Sequence, residues 1–206
     1  MSAPAVLLCL AGLVSAAAPA AAPAPRSCGG ERSELARPAS LTREAPAEFE
    51  VAEALNGSFR AIGIDSIPSP REDYSQRLSR SIKEKAAALE ETITAYEEVA
   101  SSREDYWRGA ARFRMGEAYV HYAESVEGAS FPKKFSRAQR AQFCTSLRRR
   151  ASSYRNKAIE HFKVCAATAG SDPAAEWTRL CAGALSLQQR LLSTSATTQP
   201  AKENAL

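Results

Sequence analysis

Apolar and polar positions alternate with a helical period over most of the middle of the chain. Leu78, Ile82, Ala86, Leu89, Ile93, Tyr96 and Ala100 follow one another at steps of three or four. That spacing places them on one stripe of a helix with 3.6 residues per turn. Glu90, Glu91, Glu97 and Glu98 fall off the stripe, on the solvent side. After a break at Ser101-Ser102, a second stripe comprises Trp107, Ala111, Met115, Ala118, Tyr122 and Val126. Gly116 lies inside this second helix, where glycine costs about 1 kcal/mol relative to alanine, so its presence predicts a close approach by a neighbouring helix. Asp73 is placed to cap the first long helix.

Gly128 and Pro132 then predict a loop, and Ser136 caps a further helix expected to run to about Ala167. A last helix is predicted from about Ala174 to Leu192, with Trp177, Leu180, Ala184, Leu187 and Leu191 on one side. Upstream, Ala47–Leu55 predicts a short helix stopped by Asn56-Gly57. Phe59, Ile62, Ile64 and Ile67 follow as an irregular docking strap.

The chain ends predict different behaviour. Residues 1–17 have an apolar run, Ala5–Val14, followed by small residues, the pattern of a secretory signal peptide. The run is too short to span a bilayer stably. Residues 18–72 are a Pro/Ala-rich linker with a short docking segment, since Pro19, Pro23, Pro25, Pro38 and Pro46 interrupt any helix. Residues 73–192 form the helical domain. Residues 193–206, mostly Ser, Thr, Ala and Pro, are expected to be disordered.

Met115-Gly116-x-x-Tyr119 resembles the Leu-Gly-x-x-Tyr core of the first helix of a tetratricopeptide repeat. Thr92-Ile93-x-x-Tyr96-x-x-Val99 and Ala158-Ile159-x-x-Phe162-x-x-Cys165 resemble second helices of that family, and Trp177-x-x-Leu180-Cys181-x-x-Ala184 resembles another first helix. About thirty extra residues separate Tyr119 from Ala158 relative to the regular period. The resemblance implies an all-α fold: an irregular tetratricopeptide-like array of about four helices with a long inserted helix, of the kind found in bacterial cell envelopes. It further implies a concave groove for peptides or partner subunits. Tyr96, Trp107, Arg112, Tyr119 and Tyr122 are the candidates for that groove or for the core beneath it.

Charge adds a second candidate surface. The 206-residue chain has a net charge of +4, too small to argue for a nucleic-acid partner. Locally the balance is uneven: residues 131–163 have ten Lys or Arg and one acid, Glu160. Lys133, Lys134, Arg137, Arg140, Arg148, Arg149 and Arg150 form a candidate basic patch for an anionic envelope polymer or lipid surface. The alternative is a solvated helix face. Arg148, Arg149 and Arg150 cannot share one face, because successive helical residues stand about 100° apart.

With Cys9 removed in the signal peptide, four cysteines remain, an even number suited to disulfides in an exported chain. Cys165 and Cys181 are the favoured pair, across a hairpin turning at residues 170–173. A turn centred near residue 170 sets Cys165 level with about residue 176, so Cys181 is expected to be offset from it. His161 and Cys165 have a metal-ligand spacing but no accompanying Cys-x-x-Cys. No phosphate-cradling loop, nucleophile elbow or haem motif is present. The sequence therefore points to a non-enzymatic scaffold or adaptor without cofactor or metal, exported to the periplasm or outer envelope and not transmembrane after signal removal. Its expected partner is another envelope protein or peptide.

Overall fold

The computed structural model describes residues 27, 28, 33–38, 41, 43–64, 73–101, 104–132, 134–168 and 175–197. The protein is all-α: α1 (Ala47–Ala61), α2 (Tyr74–Ala100), α3 (Asp105–Glu127), α4 (Arg137–Ala167) and α5 (Ala175–Thr197). The expected signal peptide, Lys133, Ile67 and the turn at residues 170–173 lie outside the described residues.

Local chemistry sets most helix boundaries. The Asp73 carboxylate accepts from the backbone N–H groups of Ser75 and Gln76, satisfying donors that the first turn of α2 cannot use internally. Ser136 starts α4 with a reciprocal capping box: its hydroxyl accepts from Gln139 N, and Gln139 Oε1 accepts from Ser136 N. Gly128 closes α3.

Each helix packs on the next in the chain, and α3 also touches α1 and α5. The middle helix is therefore enclosed on several sides. Its expected stripe of Trp107, Ala111, Met115, Ala118, Tyr122 and Val126 is buried, and so is a second set, Ala110, Phe113, Gly116, Val120 and Ala123. Part of this second set faces α4. A Cβ added at Gly116 would meet the Phe162 ring at 2.3–2.7 Å, far inside van der Waals contact. Phe162 is fully buried and stacks at a tilt on Phe113, so it has little room to withdraw. Gly116→Ala is thus expected to destabilise the fold by about 2 kcal/mol, overpacking outweighing the gain in helix propensity. Gly109→Ala, whose Cβ would stand 3.1 Å from Trp177 Cβ, is expected to cost less. Urea unfolding of the two variants would check the order.

Three details differ from expectation. Among the described residues there are five helices, the short first one preceding the expected four, and α1 runs through Asn56-Gly57 to Ala61. Asn56 does not stop it: its side chain is buried and accepts from Arg60 Nε one turn on, and Phe49, Ala52, Asn56 and Phe59 form the inward face. Phe59 therefore belongs to α1 rather than to a strap. The inward face of α5 is Trp177, Cys181, Ala184 and Gln188; it shares Trp177 and Ala184 with the expected side, while Leu180, Leu187 and Leu191 are half-buried at its edge. Packing against α3 and α4 selects the side with the polar Gln188, since that residue has a partner there. Finally, α5 continues to Thr197, into the segment expected to be disordered.

The loop after α3 and the first turns of α4 are packed rather than projecting. Phe131 and Phe135 each lie edge-on to Phe143 of α4, and Tyr74, at the start of α2, approaches both Phe135 and Phe143. The inserted stretch is thus fastened to the beginning of α2 by an aromatic cluster.

Candidate functional site

The Pro-rich segment before α1 does not hang free where it is described. It crosses α3 in the opposite direction to the helix. Ser33 donates through its backbone N to Glu124 Oε1 at 2.7 Å and through its hydroxyl to the same oxygen. Arg37 Nε donates to Glu117 Oε1 at 2.7 Å. Arg43 Nη1 lies 3.3 Å from Glu104 Oε2, with its guanidinium 5.3 Å from the centre of the Tyr106 ring. Rising numbers on the strap meet falling numbers on the helix.

Simple geometry explains the match. From Arg37 to Arg43 an extended chain covers about 20 Å. From Glu117 back to Glu104 a helix rises about the same distance. Ser33, Arg37 and Arg43 are separated by even numbers of residues, so an extended backbone turns all three side chains to one side. Pro38 favours that extended backbone and cannot join a helix. The result is an acidic ladder on α3 met by Ser33, Arg37 and Arg43.

Glu117 is the centre of the ladder. Its side chain is only 2% exposed, and it is surrounded by Arg37, Arg60 and Arg114. Arg114 holds the second oxygen at 2.7 Å, and Arg60 stands 3.8 Å from the first. Two of its three cations therefore come from the helical body, and only Arg37 comes from the strap. Between strap and helices lies an open cavity of about 350 Å³, lined by Leu35, Arg37, Arg60, Glu117 and His121 among others.

Beneath this cavity, Lys85 is almost wholly buried and donates to the carbonyls of Phe59 and Ile62, closing the C-terminal end of α1. Burial, and then the nearby Arg60 charge, lower its pKa to about 8. His121 Nε2 is 3.4 Å from Lys85 Nζ. Burial, with the Lys85 and Arg60 charges, lowers the imidazole to about 4. On the opposite side of α3, His161 lies against Tyr119, with ring planes 18° apart, and its Nδ1 is 3.4 Å from Arg112 Nη1. Burial, then Arg112 and Lys157, lower His161 to about 4 as well.

Both histidines are therefore neutral in the folded protein at neutral pH. Between pH 6.5 and 4 the unfolded chain takes up protons that the folded one does not, so stability falls as pH falls through that window. Each ring is partly solvated, which limits the effect to about 1–2 kcal/mol apiece. Thermal unfolding followed from pH 7 to 4 should show the decline, and His121→Gln combined with His161→Gln should flatten it.

The five residues expected in a groove or in the core beneath it separate. Tyr96, Trp107 and Tyr122 are core residues with at most 4% exposure, the second of the two places expected for them. Their polar atoms are used internally: Tyr96 Oη donates to Glu53, and Tyr122 Oη donates to the Ile82 carbonyl at 3.3 Å. Arg112 and Tyr119 are half-buried beside His161, on the side of α3 away from the strap. The basic residues are also dispersed. Lys134, Arg137, Arg148, Arg149 and Arg150 are exposed, while Arg140 is half-buried, donating to the Phe135 carbonyl and covering the Phe131 ring. Arg148 Nη2 donates to the Cys28 carbonyl at 3.3 Å. No single face collects them all.

Two disulfides are present. Cys165 and Cys181 are bonded, with Cα atoms 5.9 Å apart. The expected axial offset is absent because the hairpin is centred midway between Thr168 and Thr178, whose hydroxyl donates to the Thr168 carbonyl. Three residues further out on each side stand Cys165 and Cys181. With its sulfur so bonded, Cys165 has no thiolate to pair with His161 as a metal ligand. Cys28 is bonded to Cys144 of α4, and Ser27 makes an isolated antiparallel bridge to Ser130. These anchor the start of the strap.

Sequence reasoning missed the ladder of Glu104, Glu117 and Glu124 with Ser33, Arg37 and Arg43. The even spacing of the last three within a Pro-containing stretch was the available signal. Among the described residues no cluster of three or more His, Cys, Asp or Glu could hold a metal, and no helix is long and apolar enough to cross a membrane. No protein-family profile, curated protein or solved structure matches the chain.

Proposed function

We propose that this protein is a non-enzymatic scaffold or adaptor that mediates protein–protein contacts in an oxidising compartment of the bacterial cell envelope. The observation that carries the reading is the acidic ladder on α3, whose Glu124, Glu117 and Glu104 meet Ser33, Arg37 and Arg43 of the preceding segment. Two disulfides support an oxidising location, since such bonds persist mainly outside the cytosol. The stacking of each helix on the next, with α3 also reaching α1 and α5, is common to helical arrays, of which tetratricopeptide repeats are one kind.

A second reading is a basic module for an anionic envelope polymer. It rests on the exposure of Lys134, Arg137, Arg149 and Arg150 around the first half of α4. Affinity capture from envelope extract, with the chain from residue 18 onward as bait, separates the two. A discrete protein retained through high-salt washing supports the scaffold. Anionic polymer retained only at low salt supports the basic module, because charge–charge binding to a polyanion weakens steeply with salt. Recovery of nothing under either wash would remove the case for a stable partner.

A further inference from the structure

We infer that the segment bearing Ser33, Arg37 and Arg43 is a built-in occupant of the α3 groove, and that the groove receives an arginine-bearing segment of another protein when the Cys28–Cys144 disulfide is opened. This rests on the scaffold reading above and names its ligand class and its control.

The strap resembles a bound peptide more than a structural element. It runs antiparallel to α3 and is met there at Ser33, Arg37 and Arg43. It adds little to the core: Leu35 is its only large apolar side chain packed there, and even that is only partly buried. Nor does the body depend on it for charge balance. Without Arg37, Glu117 keeps Arg60 and Arg114, and Glu104 is already mostly exposed with Arg43 in place. Arg37 and Arg43 are themselves about half exposed, and ion pairs of that kind contribute little to stability.

What keeps the strap in place is attachment at both ends. Chain continuity ties it to α1, and the disulfide ties it to α4. Two tethers raise its effective concentration at the groove well above that of a free competitor. Opening one end lowers that advantage, and a segment from another protein with arginines six residues apart can then compete for Glu117 and Glu104.

The latch is also the more reachable of the two disulfides. Cys28 and Cys144 are half-buried, whereas Cys165 and Cys181 have at most 1% exposure. A dithiol reductant can therefore open the first selectively. Its thiolate attacks one latch sulfur to form a mixed disulfide, and its second thiol resolves that bond. The dithiol leaves as a disulfide, and Cys28 and Cys144 keep two electrons and two protons as thiols.

The test uses a fluorescent peptide of the sequence from Ser33 to Arg43, titrated by anisotropy against the oxidised full chain and against a Cys28→Ser/Cys144→Ser variant. At least tenfold tighter binding to the variant is expected, with loss of binding when the peptide has Arg37→Glu and Arg43→Glu. Should the variant lack native circular dichroism, Arg37→Ala/Arg43→Ala with the disulfide intact removes the strap's contacts with Glu117 and Glu104 instead, and a smaller but measurable gain is expected because both tethers remain. Native treatment with a small dithiol, followed by alkylation and mapping, should modify Cys28 and Cys144 before Cys165 and Cys181. Equal affinity for latched and unlatched protein, no binding to either, or indifference to the charge-reversed peptide would overturn the inference. If that happens while a salt-resistant protein partner is still captured, the scaffold reading stands and the partner occupies another surface.

Discussion

Arg155→Met is expected to destabilise the protein by about 3–5 kcal/mol, the cost of leaving a buried charge without its partner. Arg155 is 4% exposed and sits in the middle of α4. Its Nη2 donates to Glu127 Oε2 at 2.7 Å and its Nη1 donates to Gln188 Oε1 at 2.8 Å. One guanidinium thus joins the last turn of α3 to the second half of α5. Methionine would fill much of the same space but leave the Glu127 carboxylate and the Gln188 carbonyl without this donor. The urea midpoint should fall at an unchanged slope. Changing all three together, Arg155→Met, Glu127→Leu and Gln188→Leu, is expected to recover most of the loss, because no polar atom of the network then remains buried. A single variant within about 1 kcal/mol of the parent would mean that the network is solvated and not desolvated as its burial indicates.

The second large effect concerns the two disulfides. Cys28 and Cys144 are 116 residues apart and Cys165 and Cys181 are 16 apart. In the chain-entropy account, these loops correspond to about 5 and about 3 kcal/mol of stabilisation respectively. Replacing Cys165 and Cys181 by serine should approach its full value or exceed it, since that pair lies at the junction of α3, α4 and α5 and serine would bury two hydroxyls. Replacing Cys28 and Cys144 should reach about 5 kcal/mol only if the strap stays docked. If the strap detaches, the folded state also recovers freedom and the loss is smaller. Denaturant unfolding of the Cys28→Ser/Cys144→Ser variant therefore reports on the strap itself, and a loss well under the chain-entropy value would agree with an exchangeable segment.

The helices were legible because periodicity and caps are local. Asp73, Ser136 and Gly128 begin or end helices through groups within three or four residues, so their positions could be read from the chain. Gly116 was legible for a similar reason: a mid-helix glycine has a cost that packing must offset, and Phe162 occupies the space where its Cβ would be. The extent of α1 was not legible. Asn56-Gly57 is a stop signal in isolation, and burial of Asn56 with Arg60 one turn on as its donor overrides it. The choice between groove and core is left open by the sequence for a related reason. Tyr96, Trp107 and Tyr122 have the same sequence pattern whether an aromatic side chain lines a cleft or fills a core, and only the positions of α1, α2 and α4 decide which.

By itself, then, the sequence determined an all-α chain with boundaries near residues 73, 101, 128, 136 and 167, an enclosed glycine contact, and a basic first half of α4. Each of these depends on neighbours within a few turns. The tertiary structure decided which side of α5 faces inward, how Cys165 and Cys181 come level, that Arg155 bridges three helices, and that Ser33, Arg37 and Arg43 meet carboxylates along α3. Those facts depend on groups far apart in the chain: Ser33 meets Glu124 across 91 residues and Arg37 meets Glu117 across 80. A short polar stretch with no hydrophobic period contains no local signal of where it will dock, because its place is set by charges that only the folded helices bring into line.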